Sequence, residues 1–128
     1  MGTGIERIYP SENEGLADEI RRNGALVSQF WPDAPPTRKS FPMRYVVTSG
    51  MAVGTVVVEA GPTSGAKMQA RLALDHQKRL FLVESLVLHE EWAQRYASDS
   101  ATTVVRSVTD ILQVLVDLAR PAKQLTFG

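Results

Sequence analysis

The sequence has no cysteine and only two histidines. Without a thiol, disulfide frameworks, thiolate nucleophiles and cysteine-based zinc sites are excluded. His76 and His89 sit in polar, helical settings that read as solvent-facing, and His89-Glu90-Glu91 lacks the second histidine of a helical zinc-protease motif. The sequence holds no serine-centred nucleophile elbow and no Walker-type lysine loop. Enzyme chemistry is therefore not supported, and no metal or cofactor is expected. No apolar run approaches the ~18 residues of a membrane span, and no basic-then-apolar leader opens the chain, so the cytoplasm is the expected location. Charge of one sign is missing too, with 14 basic against 14 acidic side chains. Affinity for a phosphate backbone comes largely from neutralised phosphates and released counterions. A zero net charge argues against a strong, uniformly basic clamp and leaves room for a local patch.

The 128 residues are 44% hydrophobic and 22% charged, which suits one soluble globular domain. The patterning places it over residues 1–120, with a loose tail from Pro121 to Gly128. Ser11-x-x-Glu14 reads as a capping box opening a helix to about Arg22 that buries Leu16 and Ile20 and stops at Asn23-Gly24. Ala25 to Phe30 reads as a short strand, followed by a loop whose Pro32, Pro35 and Pro36 cannot donate to a sheet. Phe41-Pro42 opens a helix to about Met51. Thr55 to Val58 is a β-branched run expected to be covered on both faces. Gly61 to Gly65 turns the chain into a helix from Ala66 to His76, and Leu80 to Val83 is the next buried strand. Leu88, Trp92 and Tyr96 share one helical face, and Val104-Val105 make a last strand. Ser107-x-x-Asp110 caps a final helix carrying Val108, Ile111, Leu112, Leu115 and Leu118. Strands alternating with helices predict an α/β fold on a mainly parallel sheet flanked by helices. The first helix comes so early that the strand expected before it is missing or supplied elsewhere.

In open α/β sheets ligands gather beyond the carboxyl ends of strands, which singles out Glu59 to Gly65. Thr63-Ser64-Gly65 precedes a helix whose free N–H groups suit an anion, with Lys67 and Arg71 four apart on the same helix. The plainer reading makes Ser64 a helix cap. Glu59 could serve as a base or accept from a sugar hydroxyl, or simply cap a loop. Gly2-Thr3-Gly4 could let backbone approach a phosphate, or be a flexible start. Arg38, Lys39 and Arg44 gather around Phe41 and Tyr45, offering charge and flat faces to a single strand. Equally, the aromatics could anchor a core or an interface while the charges only solvate.

Six pieces in order resemble the DNA-processing protein A (DprA/Smf) family: Gly2-Thr3-Gly4-Ile5-Glu6, Tyr9-Pro10-Ser11-Glu12-Asn13, Gly24-Ala25-Leu26-Val27-Ser28, Phe41-Pro42-Met43-Arg44, Val57-Val58-Glu59-Ala60 and Ser64-Gly65. The likeness covers residues 2–84 well and 85–119 loosely, as the C-terminal part of that family's Rossmann-like domain. It implies a partial Rossmann-like three-layer fold, single-strand DNA binding without catalysis, loading of RecA recombinase in natural transformation, and a homodimer. An unpaired sheet edge points to self-association independently. The implied DNA- and phosphate-binding residues are Gly2 and Gly4, Arg44, and Ser64 and Gly65, with Lys67 added from the helix pattern. Two features depart from the family. Tyr45 and Val46 stand where Asn and Arg usually follow the arginine, and the family's Gly-Ser-Arg phosphate segment has no counterpart. A small nucleotide-binding module using Ser64-Gly65 and Glu59 is the rival expectation, and a dimerisation fragment without DNA binding is a third.

Overall fold

The β-branched and leucine-rich runs do make strands, and these are joined by helices. The computed structural model describes residues 1–120, so the tail expected from Pro121 lies outside the described residues. A 3₁₀ turn at Ser11–Asn13 leads into α1 (Glu14–Asn23), and after a long loop comes α2 (Ser40–Met51). There follow β1 (Gly54–Val57), α3 (Gly65–Asp75), β2 (Arg79–Val83), α4 (Glu84–His89), α5 (Glu91–Ala97), β3 (Thr102–Val105) and α6 (Val108–Ala119). The sheet among the described residues has three strands in the order β1-β2-β3, every pair parallel. The α/β class expected from the sequence is therefore the observed one.

Parallel neighbours require crossovers, and successive right-handed crossovers along one direction put their helices on the same face. That face is the core. Val57, Leu80 and Leu82 from the sheet meet Ala60, Ala70, Leu86, Trp92 and Ala93, all buried. Side chains alternate along β2, so Phe81 points to the opposite face, where it and Val105 are also buried. Coverage of that face is incomplete. Val56 keeps 44% of its surface exposed, so β1 is not covered on both faces as its composition suggests.

Several local expectations are corrected. The Ser11–Glu14 box does not form; Pro10 precedes the 3₁₀ turn, and neither it nor Asn13 caps through a side chain. In α1 the buried residue is Ala17, while Leu16 and Ile20 stay exposed beside an open hollow. Residues 25–30 form no strand. Their polar groups are drawn to the first residues of the chain, where Val27 C=O accepts from the Met1 ammonium at 2.8 Å and Ser28 Oγ donates to Thr3 C=O at 2.6 Å. The helix through Leu88 and Tyr96 is broken at Glu90, whose backbone is extended (φ −115°, ψ 118°). The break rotates Leu88 outward and leaves Trp92 in the core. Ser107 makes no side-chain cap at α6; instead Asp110 Oδ2 accepts from Arg106 N–H at 2.9 Å. α6 buries no residue fully, because it packs on the edge strand β3 and nothing covers its outer side among the described residues.

The end of α3 carries a stop that residue type alone does not announce. Lys78 N–H donates to Ala73 C=O at 2.8 Å and Gln77 N–H to Leu74 C=O at 3.0 Å, the paired bonds of a Schellman ending. Gln77 holds the left-handed position with φ 58°, where glycine is the usual occupant. Gln77→Gly should therefore raise stability by about 1 kcal/mol, the strain relieved less the extra unfolded-chain entropy of glycine. Urea unfolding reads the change, and a lower midpoint for the variant would refute the strain at this turn.

Candidate nucleic-acid interface

The site begins with the start of α2. Thr37 Oγ1 accepts from Ser40 N–H and Ser40 Oγ accepts from Thr37 N–H, both at 3.0 Å, a reciprocal pair at the start of α2, which opens at Ser40, one residue before the Phe41-Pro42 opening expected from the sequence. This fixed turn sets Phe41, Arg44 and Tyr45 along one side of the helix. The Arg44 guanidinium lies 5.4 Å from the Phe41 ring centre and 5.5 Å from that of Tyr45. Cation–π contacts of this kind hold an arginine in place while leaving its charge available. Tyr9 packs against Phe41 with ring centres 6.0 Å apart. The Met1 ammonium is held below its ordinary range, first by burial and then by the positive charge of Arg44.

Gly2 and Gly4 are buried, which removes the flexible-start reading. A Cβ at Gly2 would stand 2.7 Å from the Phe41 ring, and one at Gly4 would run into the backbone carbonyls of Trp31 and Pro32. At both positions the lack of a side chain admits a close neighbour. Gly4 N–H donates to Ala34 C=O at 3.0 Å and Glu6 N–H to Pro32 C=O at 2.9 Å, so this arm braces the proline loop.

Ser64 is the cap of α3, its Oγ accepting from Lys67 N–H at 3.2 Å. The plain reading of Ser64 is thus realised, and an anion there would rely on the remaining first-turn N–H groups and on side-chain charge. Those charges are present. A hollow of about 200 Å³ is lined by Pro62, Thr63, Ser64, Lys67, Met68, Arg71 and Tyr96. Gly65 has no left-handed backbone; its role is to admit Tyr45, whose hydroxyl a Cβ there would strike. Gln69 Nε2 adds a hydrogen bond to Tyr45 C=O at 3.3 Å. Gly2, Phe41, Arg44, Tyr45, Gly65, Ser64 and Lys67 are in this way joined by successive contacts, while Gly4 stands one step aside under the loop.

Glu59 belongs elsewhere. It lines a separate hollow of about 550 Å³ beyond the carboxyl ends of β1 and β2, with Ser85, His89 and Glu90 among its walls. Two carboxylates make that hollow unsuited to phosphate. Among the described residues Glu59 makes no side-chain hydrogen bond, so the loop cap considered for it is not formed. His76 is not solvent-facing: its Nδ1 pairs with the buried Ser49 Oγ at 2.9 Å and ties α3 to α2. His89 is exposed. Among the described residues no group of three potential metal ligands occurs, and no helix is long and apolar enough to cross a membrane.

Comparison with known proteins gives this geometry a context. The family model described as DNA recombination-mediator protein A matches residues 1–116. Protein Smf of Escherichia coli K12 is 39% identical over 82 residues, 63% of this chain and 22% of that protein. The DNA processing protein DprA of Bacillus subtilis is 36% identical over 80 residues, 62% of this chain and 27% of that protein. The chain thus spans about a quarter of the length of these curated relatives. Among solved structures, DNA processing protein A from Helicobacter pylori, for which a single-stranded DNA binding mode is described, superposes with a TM-score of 0.77 at 22% identity, covering 91% of this chain and 54% of that one. The Streptococcus pneumoniae protein gives 0.73 at 25% identity over 88% and 40%.

The glycine contacts predict an ordering of costs. Gly4→Ala should destabilise by about 1–3 kcal/mol, because backbone carbonyls cannot swing aside. Gly65→Ala meets only the end of the Tyr45 side chain and should cost little, and nothing in a Tyr45→Ala background. Ser64→Ala should cost about 1 kcal/mol through the lost cap. Thermal melts rank the three, and equal costs at positions 4 and 65 would contradict the packing described.

Proposed function

The chain belongs to the DNA recombination-mediator protein A family, and we propose that it binds single-stranded DNA along the face running from Phe41 and Arg44 to Ser64 and Lys67. One observation carries the reading: Tyr45 bridges the arginine–aromatic cluster of α2 to the capped start of α3 through Gly65. Two patches that lie apart in sequence are thereby a single surface with cations and flat faces, the pairing that suits a single strand. Arg38, Lys39, Arg44, Lys67 and Arg71 form no ion pair among the described residues, so their charge is open to phosphate. In this reading Gly2 and Gly4 act by seating Phe41 and the proline loop, and Ser64 and Gly65 by shaping the turn. The protein works by binding, without a catalytic step. Loading of RecA recombinase during natural transformation, in the cytoplasm, is the process we assign to it.

A mononucleotide site at the same turn is the competing reading, favoured by the hollow that Ser64 shares with Lys67 and Arg71, although Glu59 lines a separate hollow. Ligand length separates the two. Oligonucleotide affinity should rise with nucleotide number and fall steeply with salt, whereas a mononucleotide site saturates. Arg44→Ala should weaken oligonucleotide binding and reduce the salt slope by about 1. Identical affinity and slope in the two proteins, measured by fluorescence anisotropy, would remove Arg44 from the site.

We also propose that the chain forms a homodimer. On α6, Val108, Leu112 and Val116 keep 69%, 54% and 52% of their surface exposed in one stripe. A stripe of that kind is usually covered by another surface. Sedimentation equilibrium should show the dimer, and a monomer at high concentration would count against it.

A further inference from the structure

We infer that Trp31 is a base-stacking platform, holding an unpaired nucleobase against its indole and so favouring single-stranded over duplex DNA. The inference rests on the single-stranded DNA reading above and adds to it a residue outside every motif that carries the family likeness. Trp31 is 82% exposed, whereas Trp92 is buried in the core at 3%. An indole left in water forgoes a large favourable burial, and a flexible loop could fold it away. This loop is not free to do so. Ala34 N–H donates to Trp31 C=O at 2.9 Å, Gly4 and Glu6 bond to Ala34 and Pro32, and Gly4 lies directly beneath the Trp31 carbonyl. Pro32, Pro35 and Pro36 add fixed φ angles. The indole is displayed on a braced support, so little ordering is left to be done when something docks on it.

Its surroundings indicate what docks. Gly2 touches the Phe41 ring and Gly4 touches Trp31; positions two apart in a chain are separated by at most about 7 Å. The base of the Trp31 turn is therefore joined through Gly4 and Gly2 to Phe41, against which Tyr9 packs and over which the Arg44 guanidinium lies. Arg38 and Lys39, both exposed, follow on the same loop. Residues 31–45 carry three cations, Arg38, Lys39 and Arg44, against one carboxylate, Asp33, and the segment bonded to Pro32 adds one charge of each sign, Glu6 and Arg7. An exposed indole alone would suit many partners. An indole displayed on a cation-rich segment suits a polyanion with π-faces. A duplex keeps its bases stacked on one another and inaccessible, so only a single strand can use both features.

Both tryptophans emit, but Trp92 is buried at 3% exposure and out of reach of a docking base, so the part of the DNA-dependent change that disappears in Trp31→Phe reports on Trp31. Titration of the full chain with a single-stranded thymidine 20-mer should quench emission to saturation, and a duplex of equal length should not. Trp31→Ala should lose the quench and about 5- to 100-fold in affinity by anisotropy, while Trp31→Phe keeps most of the affinity. The salt slope should stay unchanged in both variants, since no charge is removed, and so should the melting temperature. Parental affinity in Trp31→Ala, with emission of the parent unmoved by DNA, would overturn the platform and leave single-strand binding standing. No oligonucleotide binding by the parent would overturn both. Affinity lost only together with dimerisation, read by sedimentation, would make Trp31 an interface residue and also overturn the platform.

Discussion

The close seam between α2 and α3 is what the proposed site depends on. A small residue permits it: Gly65, at the start of α3, lies under Tyr45. Two hydrogen bonds pin it at separate heights, Gln69 to the Tyr45 carbonyl and His76 to the buried Ser49 hydroxyl. Pairing of Tyr45 with Gln69 and of Ser49 with His76 means the two helices run in the same direction. Their N-termini therefore lie toward the same end, and the Arg44 cluster reaches the Ser64 turn. A bulkier residue at Gly65 would displace the Tyr45 ring and part the two halves of the surface, at little cost in stability and without touching a charged group.

The same seam accounts for what the sequence revealed and what it concealed. Helices and strands with strong periodicity were legible, as were Ser64 as a cap and Lys67 and Arg71 together on one helix, because each follows from spacing within one element. Contacts between elements were not. Nothing in Tyr45 or Gly65 alone announces that one sits on the other, and glycine at a helix start reads equally as a phosphate approach. His76 looked solvent-facing because its partner Ser49 is 27 residues away. Local misreadings had a different origin: a side chain other than the usual one took a standard role. Ser40 stands where a capping box has Glu or Gln, and Glu90 breaks a helix with no Pro or Gly to mark it. Residues 25–30 have strand-like composition, but Met1 and Thr3 take their hydrogen bonds outside any sheet.

Net charge was the least informative number, because the charges are segregated. The loop between β1 and α3 has Lys67 and Arg71 in the hollow on one side and Glu59 and Glu90 in the hollow on the other. Screening at physiological salt acts over about 8 Å, so neighbouring hollows of opposite sign keep distinct local potentials while the molecule as a whole is neutral. On the proposed surface, a strand seated at Ser64 would be repelled from Glu59 and Glu90 and drawn along the Tyr45 bridge toward Arg44. Charge thus gives the path a direction, and the aromatic rings beside Arg44 supply contacts that salt does not screen. A neutral protein can hold a polyanion on these terms only along a narrow track. The track depends on the α2–α3 seam staying closed.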